Sequence, residues 1–371
     1  MKKLLYIFLL VGLGFYVNAQ TSDSWPIFRS SQNLTGVSES NLPNQPELLW
    51  AFQTEDNIKS APVVANGKVV VGSTDGTVYC LDFKGELLWK FETENSIEAP
   101  ALILDNTVYI GNLDGMLYAL DLSSGEKKWE YETENQIVGS ANWWKDGETT
   151  YIFAGSYDFY LHCVDGKSGE RKWRYESDNF INGAAAASDG KAYFGGCDGF
   201  LHIVDIKTGE LHKKIDVATY VAGSVALEKD KAYLGDYDGR FFEVDISQEK
   251  TTWVWEHEKT TLPFIASPAL VGNKVLTANH NKFLYCFDKN SGEKLWEYNT
   301  GNRVEASPVV VGDKVNSANM RGDLAMVNLN DGKIVWSYEI GSAIINNPAV
   351  ADGQLFVGAM DGNVYCFGSP S

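Results

Sequence analysis

Apolar positions along this chain come in short runs broken by Gly, Asn and Asp, and the repeated body nowhere sustains the 3.6-residue period of an amphipathic helix. The stretch Lys68–Lys90 is the clearest sample, with β-branched and apolar runs at Lys68–Gly72, Thr77–Leu81 and Glu86–Lys90. Asp75-Gly76 separates the first two runs, and Asp-Gly favours a two-residue hairpin because both turn residues must tolerate positive φ. Phe83-Lys84-Gly85 separates the second and third. Upstream, Ser60–Val64 with the turn Asn66-Gly67 supplies a further run. The pattern predicts a four-stranded antiparallel meander ending on Trp89.

The meander recurs. Its hairpin turn returns at Asp114-Gly115, Asp158-Phe159, Asp198-Gly199, Asp238-Gly239, Asn281-Lys282, Arg321-Gly322 and Asp361-Gly362, at intervals of about 40 residues. An Asp or Asn ends the third strand in the first seven copies, usually followed by a Gly-Glu turn, where its side chain can bond the following backbone. The closing aromatic is read at Trp89, Trp129, Trp173, Trp255, Trp296 and Trp336, with Lys213 in that place in the fourth copy. Four short strands at this period predict an all-β fold, an eight-bladed β-propeller of four-stranded antiparallel blades. The blades fall near 58–92, 97–132, 137–177, 181–216, 221–257, 264–298, 304–339 and 344–367. The recurring Trp is expected to pack between neighbouring blades, where its large apolar area counts most.

The eighth copy lacks a fourth strand, and Leu48–Phe52 is a fourth strand with no blade before it. The N-terminal strand should therefore complete the last blade and remove an exposed sheet edge. On this reading, losing residues 47–54 is far more damaging than losing 20–30.

The ends and the charge narrow the picture further. Residues 1–19 combine Lys2-Lys3, an apolar core from Leu4 to Phe15 and Val17-Asn18-Ala19, which reads as a secretory signal peptide too short to span a bilayer. Residues 20–46 then form an N-terminal arm and 47–371 the propeller. Without Lys2 and Lys3, the 49 acidic residues outnumber the basic ones by 20, a balance that repels nucleic acid. Four of the five cysteines (Cys80, Cys163, Cys286 and Cys366) share one repeat position, where other copies carry Ala119, Ile203 and Met326, so they read as small buried hydrophobes. There is no CxxC, and no hydrolase or P-loop motif.

Trp25–Arg29, Asn33–Ser38, Leu48–Trp50 and units such as Gly111–Asp121 with Ser124-Gly125-Glu126 and Trp129 resemble the pyrroloquinoline-quinone-like repeat family. That resemblance spans about residues 25–367 and implies an eight-bladed propeller. Some members are quinone-dependent alcohol or sugar dehydrogenases; others, the BamB-like branch, bind partners and carry no cofactor. The dehydrogenase branch implies a vicinal disulfide and a calcium site, and this chain has no adjacent cysteines. The BamB-like branch agrees better in size, export and plain blades, although no Cys follows the signal for lipidation.

Function in a repeat protein tends to lie where the repeat is broken. Trp143 and Trp144 interrupt the third blade where other copies have small aliphatics; alternation would send them to opposite faces, as packing residues or as a platform for a partner or sugar. Lys59, Glu98, Asn182, Glu305 and Asn346, with Arg303 nearby, precede innermost strands and are expected to face the central channel. His162 and His202 replace a tyrosine that recurs elsewhere and read as packing substitutes. The reading is an exported, monomeric, non-catalytic binding or scaffolding propeller, periplasmic or secreted. It has no cofactor, and its partner is an envelope or extracellular protein, or a glycan. A quinone-dependent alcohol or sugar dehydrogenase and a carbohydrate-binding propeller are the alternatives.

Overall fold

A computed structural model describes residues 24–221 and 223–370; the signal-peptide reading of 1–19 lies outside them. Eight antiparallel sheets follow one another in sequence, each a meander as the hairpin turns require. The last is completed from the front of the chain, because Glu47–Gln53 pairs antiparallel with Asn363–Gly368. The all-β, eight-bladed reading and the closure by the N-terminal strand both hold.

Middle strands such as Lys68–Gly72 and Thr77–Asp82 are buried on both faces, whereas outer strands such as Leu87–Glu92 alternate. The recurrent tryptophan on the outer strand reaches across to the next blade. Its indole N–H donates to a carbonyl there: Trp89 to Leu122 (2.9 Å), Trp173 to Ile206 (2.8 Å), Trp296 to Leu329 (3.0 Å). The ring lies over the glycine of the next blade's turn, where a Cβ on Gly125 would stand 2.7 Å from Trp89. Gly125 also holds a φ of 76°, so glycine is needed there twice over.

One position is corrected. In the fifth blade the closing residue is Trp253, which donates to the Lys289 carbonyl at 2.9 Å and covers Gly292. Trp255 takes the place that Phe91 and Tyr131 hold elsewhere, two residues further along the strand.

The N-terminal arm is not a loose lead-in. It runs around the inner end of the ring and touches the innermost strand of every blade in turn. Trp25 pairs with Val64, the Pro26 carbonyl accepts from Ile103, and Gln32 bonds Trp143 and Ala187. The carbonyls of Asn33, Thr35 and Gly36 then accept from Leu227, Leu270 and Val310, and Ser38 donates to Val350. Val37–Ser38 adds a fifth, parallel strand beside Val309–Val311. These bonds satisfy edge groups that the innermost strands would otherwise turn to the axis. Trp25, Arg29 and Leu34 are fully buried. Losing residues up to 30 therefore removes core as well as hydrogen bonds, which the expectation for that truncation had not included.

Candidate functional site

The central channel holds a cavity to which the arm contributes Phe28, while the rest of the lining comes from the segments that lead into the innermost strands. The cavity holds about 170 Å³. It is narrow because the blades meet at glycine: a Cβ on Gly139 would lie 2.6 Å from the Gly183 carbonyl. A belt of serines ties neighbouring blades at this level. Ala184 N–H donates to Ser224 Oγ (2.8 Å), Ser224 N–H to Ser267 Oγ and Ser267 N–H to Ser307 Oγ (both 2.9 Å). Those serines recur at one place in the repeat, so aligning the copies could have found them.

At the mouth the expected channel residues gather, and they are largely engaged with one another. Lys59 Nζ bonds Glu98 Oε1 at 2.7 Å, and Asn346 Nδ2 donates to the Lys59 carbonyl. Arg303 meets Glu305 at 3.0 Å, and His280 Nε2 stands 3.5 Å from the same carboxylate oxygen. His280 and Arg303 hold the Glu305 carboxyl below its usual range against the opposing effect of burial. Asn182 Nδ2 lies 3.1 Å from Cys197 Sγ. Asn182, Glu305 and Asn346 line the well itself.

Trp143 and Trp144 do point to opposite faces. Trp143 packs against the cluster of Leu102, Ile137 and Ile27, and Trp144 against that of Phe153, Ala187 and Phe194. Both are half-buried, and both border a groove floored by Pro26 and Gln32 of the arm.

Sequence reasoning missed an aromatic arc on the mouth side of blades three to six. Tyr220 is 53% exposed, Tyr237 43%, Leu262 40%, and Phe159 and Phe180 38% each. The Phe180 ring lies 4.9 Å from Tyr157 and 5.1 Å from Phe159. A backbone bond ties two members of the arc together, with Tyr237 N–H donating to the Tyr220 carbonyl at 3.1 Å. The signal was present: Tyr157 and Tyr237 occupy the place of Thr74, just before the turn, and Phe180 and Tyr220 that of Asn57.

His162 and His202 pack as expected and also bond. His162 Nε2 pairs with Asp158 at 2.8 Å and its Nδ1 with the Tyr131 hydroxyl at 2.9 Å; Asp198, His202 and Tyr175 repeat the chain one blade on. Both histidines are buried within the blades, so these chains brace turns and reach no substrate.

The dehydrogenase branch implies a quinone with calcium, and the hub does not fit them. Calcium takes six to eight oxygens. Among the described residues no three His, Cys, Asp or Glu side chains are grouped to hold a metal ion. Glu98 and Glu305 are already paired with cations. None of the five cysteines is in a disulfide.

Comparison with known proteins agrees with the architecture. A family model described as outer membrane protein assembly factor BamB matches residues 41–176 and 157–369. BamB from Moraxella catarrhalis is 20% identical with a TM-score of 0.74, over 87% of this chain and 98% of that one. A europium-containing methanol dehydrogenase is 13% identical with a TM-score of 0.77, over 94% and 98%. Quinohemoprotein alcohol dehydrogenase from Comamonas testosteroni is 15% identical with a TM-score of 0.77, over 96% and 82%. At these identities the structural likeness is one of fold. No curated protein matches the chain.

Proposed function

The chain belongs to the PQQ-like repeat family described as outer membrane protein assembly factor BamB, and from that membership we propose that it is an exported, non-catalytic binding or scaffolding module of the cell envelope. The observation that carries this reading is the state of the mouth: its carboxylates are committed to Lys59, Arg303 and His280. Hydride abstraction needs a base placed against a bound quinone. A carboxylate already paired with a lysine or arginine is a poor base. The rigid ring instead offers broad faces, and surface complementarity is the work such a scaffold does well.

The partner on this reading is an envelope or extracellular protein, met by a monomer in the periplasm or outside the cell. Among the described residues no helix is long and apolar enough to cross a membrane. The acidic excess disfavours nucleic acid. Cross-linking in intact envelopes followed by mass spectrometry tests the proposal. Reproducible links from the propeller's faces to one envelope protein are expected. A chain that links to nothing there would contradict it.

A further inference from the structure

Large exposed apolar side chains fall into two sets. One set, including Leu48, Leu87, Leu211, Leu295 and Ile334, lies on the outer strands and recurs around the ring. It marks no particular place. The other is the arc of Tyr237, Tyr220, Phe180 and Phe159, confined to one side of the mouth. The opposite side carries the pairs Lys59–Glu98 and Arg303–Glu305, whose charges cancel. Between the two sides opens the polar well with Asn182, Glu305 and Asn346 in its wall.

We infer that this mouth binds a neutral glycan through its terminal sugar. A pyranose ring has an apolar C–H face and a polar hydroxyl rim. The C–H face fits on tyrosine and phenylalanine rings, and sugar hydroxyls can donate to Glu305 Oε2, since Arg303 and His280 both meet Oε1, and to the amide oxygens of Asn182 and Asn346 in the same wall. The rim asks for no net charge from its ligand, and the acidic chain repels an anionic polysaccharide. A protein partner would want the apolar surface continuous, whereas here it bends around a polar hole. The sugar reading in the sequence rested on Trp143 and Trp144, but each of those is half taken up by a blade core. The inference rests on the propeller being a binder, and it names one ligand class for it.

Calorimetric titration of the mature chain with maltoheptaose, cellohexaose, chitohexaose and mannohexaose tests it. Saturable binding to at least one oligosaccharide is expected, weakened about tenfold or more by Tyr237→Ala and by Glu305→Gln and unchanged by Leu88→Ser on an outer strand. Tyr237 and Tyr220 are exposed, so Tyr237→Ala and Tyr220→Ala decide the matter if Glu305→Gln loses its fold. No saturable binding to any of the four, or binding indifferent to these substitutions, overturns the proposal. So does a protein partner lost on Tyr237→Ala while every oligosaccharide stays unbound. Binding accompanied by sugar oxidation would uphold the glycan site and overturn the non-catalytic reading.

Discussion

Lys213 and Glu249 show how tightly a single position is tied to its neighbour. At six other junctions a tryptophan covers a glycine. Here lysine replaces the tryptophan and Glu249, at a φ of 54°, stands in the facing turn. Lys213 Nζ still donates to the carbonyl that an indole would reach, Ile246 O at 3.2 Å, and pairs with Glu249 at 2.8 Å. A half-exposed ion pair contributes little, so restoring the repeat should help. Lys213→Trp with Glu249→Gly is expected to raise unfolding free energy by about 1–2 kcal/mol, with neither single change giving half of it, as coupled neighbours behave. Denaturant titration of the four proteins checks this. Asp158 and Asp198 add a pH dependence. Burial raises each carboxyl, but bonds from the histidine and backbone N–H groups outweigh it and hold both below the usual range. Such groups stabilise the fold above the unfolded carboxylate pKa, and that contribution is lost as pH falls through the lowered one. Asp158→Asn should therefore lower stability at pH 7 and flatten its fall in acid, measured as urea midpoints from pH 7 to 3. The misplaced tryptophan also belongs at this scale. Trp253 and Trp255 are both tryptophan on one strand face, so residue type alone did not separate them. Distance did, since Asp245 stands as far from Trp253 as Asp121 from Trp129.

Among the elements, the blades were legible and the arm was not. Each blade announces itself locally, by Asp-Gly turns and period-two runs. The arm has neither. Its role lies in hydrogen bonds to eight strands distant in sequence, six of them from main chain to main chain, and no local pattern encodes those. Its side chains confirm how much it matters: Trp25 is fully buried, and the Arg29 guanidinium, pushed down to about 9 by burial, donates to the Pro268 carbonyl at 2.9 Å. Trp25→Ala is expected to cost about 3–5 kcal/mol, the range for a large aromatic removed from a core. Removing residues up to 30 and removing 47–53 should then both lower the melting temperature by many degrees. A truncation to residue 31 that melts with the intact chain would show the arm to be superficial. The channel residues divide in the same way. Their placement before each innermost strand was readable, but their pairing was not, because Lys59 with Glu98 and Arg303 with Glu305 depend on which blades close against which.

Over the whole molecule, ring closure turns eight open sheets into one body. The front strand latches the last blade, the arm bonds to all eight innermost strands, and a polar well beside an aromatic arc opens at the hub. Among the described residues no three His, Cys, Asp or Glu side chains are grouped to hold a metal ion. The proposed role is binding without bond-making. The most direct measurement incubates the purified mature chain with pyrroloquinoline quinone and calcium, desalts it, and reads both retained quinone and dye-linked oxidation of alcohols and sugars. No retained quinone and no dye reduction above the protein-free rate is the expected result. Stoichiometric quinone with substrate-dependent dye reduction would contradict it.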